Sequence, residues 1–362
     1  MKNSLCLFVF GILSTLCTAQ TIDSSLAVFI KANENPILRP DSAFVFTDPV
    51  TGKAVKWQKA DVFNPAAIVR NGKICLLYRS EDNPAAIIGG RTSRIGLAES
   101  KDGIHFTKFP QPVLYPDNSM SEFDHPGGCE DPRVVEAPDG RYVMIYTSWD
   151  GKTARLSAAV SKDLVHWQKQ GPVFQKAEDG KYLNTWSKSG SIVTTIQHGR
   201  LIAARINGKY WMYWGEQFVN PAWSTNLVDW HPVVDGKGDL KRSVEPRLGK
   251  FDSELTECGP PAVLTSKGIV LLYNGKNAES EKADPSLPRG TYSVGQLLFD
   301  ARDPQQLIAR SAQPLLRPTS PIERKGQYKA GTTFSEGLVY FNSKWFLYYG
   351  AADSFVCLAT SP

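Results

Sequence analysis

Three short stretches of this chain share one pattern: Ala98-Glu99-Ser100-Lys101-Asp102-Gly103-Ile104-His105-Phe106, Ala159-Val160-Ser161-Lys162-Asp163-Leu164-Val165-His166-Trp167 and Trp223-Ser224-Thr225-Asn226-Leu227-Val228-Asp229-Trp230. Each sets a hydroxyl and then a short acid or amide ahead of a closing aromatic, and the aromatics recur at roughly sixty residues, a period that signals a repeat architecture. Between and beyond these tags lie paired apolar runs. They open at Asn64-Pro65-Ala66, Glu130-Asp131-Pro132-Arg133, Gly259-Pro260-Pro261 and Ser335-Glu336-Gly337, turn at Gly or Asn, and end in an aromatic. That is the signature of a β-hairpin. A further hairpin from Gly190-Ser191-Ile192-Val193 to Trp211-Met212-Tyr213-Trp214 brings the number of units to five. With ~4 strands per unit, the expected fold is all-β, a five-bladed β-propeller; a pair of β-sandwiches is the main competitor.

The first residues stand apart from this pattern. Lys2, an apolar stretch from Leu5 to Leu16 and the small residues Thr18-Ala19 read as a secretory signal peptide over residues 1–19, which leaves residues 20–362 as a single domain. Export, to a periplasm, is the expected localisation. Lipid attachment at Cys17 is the lesser reading, because Leu16 stands where a small residue is usual. No later segment approaches ~20 apolar residues, so no membrane span is expected. The net charge of +5 comes from basic residues scattered among nearly as many acids, with no basic face, and this argues against nucleic acid as a partner. Cys75, Cys129, Cys258 and Cys357 lack the close spacing of a zinc site. Cys75 and Cys357 read as buried thiols; an oxidising compartment permits a bridge between Cys129 and Cys258, with free thiols the favoured state.

In a propeller the leading ends of the inner strands meet at one funnel, so polar clusters distant in sequence converge. The expected contributors are Asp61, Asn64, Arg79 and Arg94 from the first unit, Glu130, Asp131 and Arg133 from the second, Lys188, Arg205 and Glu216 from the third, Glu257 from the fourth and Asp353 from the fifth. Acids, guanidinium groups and amides beside aromatic rings suit a neutral polyhydroxy ligand. Hydrolysis of a glycoside needs one carboxyl to protonate the leaving oxygen and a second to activate water. Asp131, Glu216 and Glu257 are the candidates. His105 and His166 occupy matching tag positions and read as structural, whereas His125, just ahead of the acid pair, could line the site. Nothing implies a metal or an organic cofactor.

The motifs Phe63-Asn64-Pro65-Ala66, Leu77-Tyr78-Arg79, Arg94-Ile95-Gly96-Leu97-Ala98, Gly128-Cys129-Glu130-Asp131-Pro132-Arg133, Phe251-Asp252-Ser253, Gly259-Pro260-Pro261 and Tyr349-Gly350-Ala351-Ala352-Asp353 resemble those of glycoside hydrolase family 130, the β-mannoside phosphorylases and mannosidases, in family order along the chain. The resemblance implies a five-bladed propeller, an inverting reaction on a β-mannoside oligosaccharide, Asp131 as the proton donor, and Asn64, Arg79, Arg94 and Asp353 around the mannosyl ring. Tyr273-Asn274-Gly275 departs from the phosphorylases' Tyr-His-Gly, whose histidine helps to hold phosphate, and Asn274 is expected among the substrate-binding residues instead. Glu216 and Glu257 would bring negative charge to that side, which resembles the secreted hydrolytic branch acting on β-1,2-linked mannosides. Arg133 and Arg155 keep phosphorolysis open as a phosphate clamp, and a non-catalytic glycan-binding propeller is the third reading.

Overall fold

The computed structural model describes residue 26, residues 28–86 and residues 90–362; the expected leader at residues 1–19 and Cys17 lie outside the described residues. The chain is all-β, and its main strands pair antiparallel in five successive groups of four. In the first group Asp61–Arg70, Lys73–Glu81, Ser93–Ser100 and Thr107–Lys108 follow in order. Gly128–Glu136, Tyr142–Trp149, Ala154–Ser161 and Trp167–Pro172 form the second. The third runs from Ser191–Gln197 through Lys209–Trp214 and Asn220–Ser224 to Trp230–Pro232. In the fourth the leading strand is broken at Gly259-Pro260-Pro261 into Leu255–Cys258 and Ala262–Thr265, both paired with Gly268–Lys276; Tyr292–Phe299 and Leu307–Arg310 complete it. Thr333–Phe341, Lys344–Ala351 and Phe355–Thr360 make the fifth, and Ile30–Lys31 from the start of the chain supplies its outer strand.

Apolar side chains fill the spaces between groups. Five clusters result, each shared by two neighbours: Leu97 with Val134 and Tyr146, Ile145 with Ile192 and Met212, Tyr213 with Leu271 and Phe299, Val270 with Leu338 and Leu347, and finally Leu76 and Tyr78 of the first group with Val339 and Tyr348 of the fifth. Strands flanked on both faces in this way read as near-continuous apolar runs, which is why the inner strands carry so few polar residues.

The repeated tag is a turn with one hydrogen-bond plan. Ser100 Oγ accepts from the amides of Asp102 and Gly103, and Asp102 Oδ1 accepts from Ile104 and His105. Ser161 with Asp163, and Ser224 with Asn226, repeat this bond for bond. A hydroxyl followed two positions later by a short acid or amide saves backbone donors that would otherwise go unmet. His105 and His166 hang from these turns on Asp102 and Asp163 at 2.8 Å, exposed, in the structural role expected of them.

Candidate active site

Three leading strands carry a bulge at the same place, and each bulge turns one polar residue inward. Pairing shifts between Phe63 and Pro65, between Glu130 and Arg133 and between Ser335 and Gly337, leaving Asn64, Asp131 and Glu336 off the ladder. Asn64 and Asp131 adopt left-handed φ of 45° and 48°. Such bulges redirect side chains beside functional sites. They set Asn64 Nδ2 to donate to Asp131 Oδ1 at 3.0 Å. Gly350 makes the approach possible, since a Cβ there would lie 2.1 Å from Asn64 Oδ1.

Around this pair runs a chain of charges. Arg79 donates to Asp131 at 3.2 Å, to Glu130 at 2.9 Å and to Glu81 at 2.7 Å. Glu81 receives Arg91 at 3.0 Å, and Arg91 also pairs with Asp61. Lys188, in the segment ahead of the third leading strand, stands 3.8 Å from Glu130 and 3.9 Å from Asp131. Burial opposes the charge of Asp131, but Arg79, Lys188, Arg133 and the Asn64 amide outweigh it and hold its carboxyl well below the usual range. Burial pushes Glu130 the other way. Asp353, half-buried on the turn after Ala351, is pushed up to about 7, chiefly by burial, with Asp131 and Glu81 adding to it and Arg79 and Lys188 opposing.

The third and fourth groups bring two glutamates to the same place. The turn holding Glu216 is bonded to the strand holding Glu257: Thr256 N donates to Gln217 O at 3.2 Å and Cys258 N to Gly215 O at 3.3 Å. Glu216 accepts from the indole of Trp186 at 2.8 Å, and Glu257 accepts from the hydroxyl of Ser189 at 2.5 Å. Burial and the neighbouring Glu216 push Glu257 up to about 8. Burial works against the ammonium of Lys188, yet Glu130, Glu216, Asp131 and Glu257 together raise its pKa above the ordinary lysine value. Lys188, close to Glu130 and Asp131 and in the field of Glu216 and Glu257, links the second, third and fourth groups at the centre of the site. A cleft of about 1120 Å³, lined by Trp186, Glu216, Gln217 and Phe218 among others, opens beside it.

Other expected residues sit further out. Arg94 is buried between Asp48 and Asp82, each at 2.7 Å, and Asp61 reaches the centre only through Arg91. Arg133 lies beneath the site, donating to Gly259 O at 3.1 Å, Cys258 O at 2.9 Å and Asp131 O at 3.0 Å. Asn274 is a correction, because its amide is spent on the backbone and hydroxyl of Ser335 at 2.8–3.1 Å. Arg205 is a second: it is exposed at the far turn of its hairpin, donating to Gly208 O and Thr225 O and lying over the Tyr210 ring. Cys129 and Cys258 are free and buried. Glu81, Trp186, Ser189 and Glu336 escaped the sequence reading. Glu336 had a usable signal, since it occupies the opening position of its hairpin that Asn64 and Asp131 hold in theirs. Among the described residues no cluster of His, Cys, Asp and Glu could hold a metal ion, and no helix is long and apolar enough to cross a membrane.

The sequence model of glycoside hydrolase family 130 described as β-1,4-mannooligosaccharide phosphorylase matches residues 30–362. A 1,2-β-oligomannan phosphorylase of Thermoanaerobacter sp. (strain X514) is 31% identical over 311 residues, covering 84% of this chain and 90% of that one. Among solved structures, one described as belonging to the GH130 mannoside phosphorylase family that contains glycoside hydrolases targeting β-1,2 mannosidic linkages in Candida mannan is 48% identical, with a TM-score of 0.92 over 94% of this chain and 96% of that one. A glycosyl hydrolase from Bacteroides ovatus is also 48% identical, with a TM-score of 0.91 over the same shares.

Proposed function

The chain belongs to glycoside hydrolase family 130, and we propose that it is an exported, inverting exo-β-mannosidase that hydrolyses β-1,2-linked mannosides, built as a five-bladed β-propeller over residues 20–362 behind a leader at residues 1–19. The propeller reading rests on five four-stranded groups with five shared cores, the last joining the fifth group to the first. The substrate reading rests on the mannosidic relatives. Asp131 is the general acid, and Glu216 with Glu257 holds the attacking water.

In the free site Asp131 is held ionised, so it acquires its proton as the sugar fills the funnel. Its proton comes from solvent and passes to the departing glycosidic oxygen. On the other side, the proton shared near neutral pH rests on buried Glu257. Glu216 then offers the free lone pairs to water while Glu257 orients it.

One observation carries hydrolysis over phosphorolysis: Lys188 stands 3.8 and 3.9 Å from Glu130 and Asp131 and in the field of Glu216 and Glu257, and the two arginines that could clamp phosphate are engaged elsewhere. Arg133 is consumed by three backbone carbonyls and Glu336, and Arg155 by Asp150 at 2.7 Å and Asn184 at 2.8 Å. A dianion would meet repulsion there. Phosphorolysis is the second reading, favoured by the name of the Thermoanaerobacter relative. Incubation with β-1,2-mannobiose, with and without phosphate, separates them: α-mannose formed at the same rate in both supports hydrolysis, mannose 1-phosphate supports phosphorolysis, and neither product leaves a glycan-binding propeller.

A further inference from the structure

Beneath the proton donor lies a buried pair that the reaction as described does not use. Arg133 and Glu336 are at most 2% exposed, and they meet at 3.3 Å through Nη1 and Oε1. The same Nη1 donates to the carbonyl of Asp131 at 3.0 Å, while Nη2 and Nε donate to the carbonyls of Cys258 and Gly259 at 2.9 and 3.1 Å. One rigid guanidinium fork therefore ties the backbone at the acid to the backbone beside Glu257, across two leading strands that are more than a hundred residues apart in sequence. Glu336 anchors the fork from a third.

The anchoring is costly. Glu336 is fully buried and its Oε2 has no hydrogen-bond partner among the described residues. An unmet buried polar atom costs ~1–3 kcal/mol, and apolar groups of like volume can replace a buried ion pair with little loss. Packing alone would not keep this arrangement. The charged groups facing Glu336 are Arg133, Asp131, Glu257 and Arg79, which are the acid, one of the water-holding glutamates and the cations that hold them.

We propose that Glu336 is a positioning residue: through Arg133 it fixes the separation between the Asp131 carboxyl and the Glu216–Glu257 pair across the bound sugar. This rests on the hydrolytic reading only in naming the reaction, since phosphorolysis would need the same separation. A leading strand that slips by ~1 Å costs about a hundredfold in rate without weakening sugar binding in proportion.

The test compares Glu336→Ala, Glu336→Gln and Arg133→Lys with the unaltered chain on β-1,2-mannobiose, using whichever acceptor, water or phosphate, the unaltered chain uses. Thermal midpoint and calorimetric mannobiose binding are measured alongside. Expected is a kcat about a hundredfold lower for Glu336→Ala, with KM and mannobiose affinity within about threefold. Glu336→Gln, which can still accept from Arg133, restores most of kcat. Arg133→Lys keeps the charge but loses the fork and falls with the alanine variant, which covers the case in which Glu336→Ala does not fold. A folded Glu336→Ala with unchanged kcat, an Arg133→Lys with unchanged kcat, or a Glu336→Gln as slow as alanine overturns the proposal. The unaltered chain's own product decides the hydrolytic reading separately.

Discussion

The ammonium of Lys188 stands 3.9 Å from the carboxylate of Asp131, and Glu216 and Glu257 also act on its charge. Lys188 thus couples the proton donor electrostatically to the groups assigned to water. Replacing Lys188 by Met removes a charge that keeps Asp131 ionised, so the Asp131 pKa rises, and Glu130 and Glu257 move up with it. The pH–rate profile for mannobiose hydrolysis is expected to shift to higher pH, with a lower maximum; a profile fixed in position shows that Lys188 does not set the titration.

Asp131→Asn removes the proton donor, and general acid catalysis is typically worth 10²–10⁴-fold. The loss depends on how much help the leaving group needs. Mannobiose, with a poor alkoxide leaving group, is expected to lose the full factor, whereas a dinitrophenyl β-mannoside loses far less. Equal losses on both substrates, measured as kcat, remove Asp131 from the acid role.

Glu216→Gln lowers turnover by ~100-fold or more if Glu216 accepts the proton of the water as proposed, and Glu257→Gln, which keeps a neutral group to orient the water, lowers it less. Their effects on stability differ. Burial raises Glu257 from an ordinary 4.5 to about 8, so the folded protein binds a proton there that the unfolded chain releases. That contribution is fully present below about pH 4.5 and is lost as pH climbs through 8. Glu257→Gln, permanently neutral, should therefore melt at a higher temperature than the unaltered chain at pH 8, with the gap closing toward pH 5. A gap that grows on acidification contradicts the sign.

Gly350→Ala tests the close approach that holds Asn64. The added methyl would stand 2.1 Å from Asn64 Oδ1, and Gly350 has no left-handed φ to complicate the result. Asn64 must move off Asp131, so a large rise in KM is expected, with stability falling by an amount typical of overpacking, ~1–3 kcal/mol. Unchanged kinetics would mean that Asn64 does not contact the sugar.

Phosphate provides the simplest measurement. Up to millimolar concentrations it should leave the rate of mannose release unchanged, because Lys188 and Arg79 are already paired with Glu130 and Asp131. A hyperbolic rise with phosphate would reverse the assignment of the second substrate.

The repeated tag was legible because its chemistry is local. A hydroxyl and an acid two positions apart bond to amides within the same turn, so Ser100 and Asp102 determine that turn whatever surrounds it. Alternating turns and apolar runs likewise announced five hairpins, and the acids at the head of the second lie in the cluster around Arg79. The sequence was silent where partners come from other groups. Arg133 and Arg205 look equally available as written, but one side chain turns inward onto the carbonyls of another leading strand and the other turns outward beyond its hairpin's last ladder pair. Asn274 looked like a ligand for sugar and became a brace for Ser335. Glu336, unnoticed, became the most buried acid under the site. Local bonding sets which turns and strands form. Which polar group faces the site depends on bulges and on contacts a hundred or more residues apart, and those exist only once the groups have packed together.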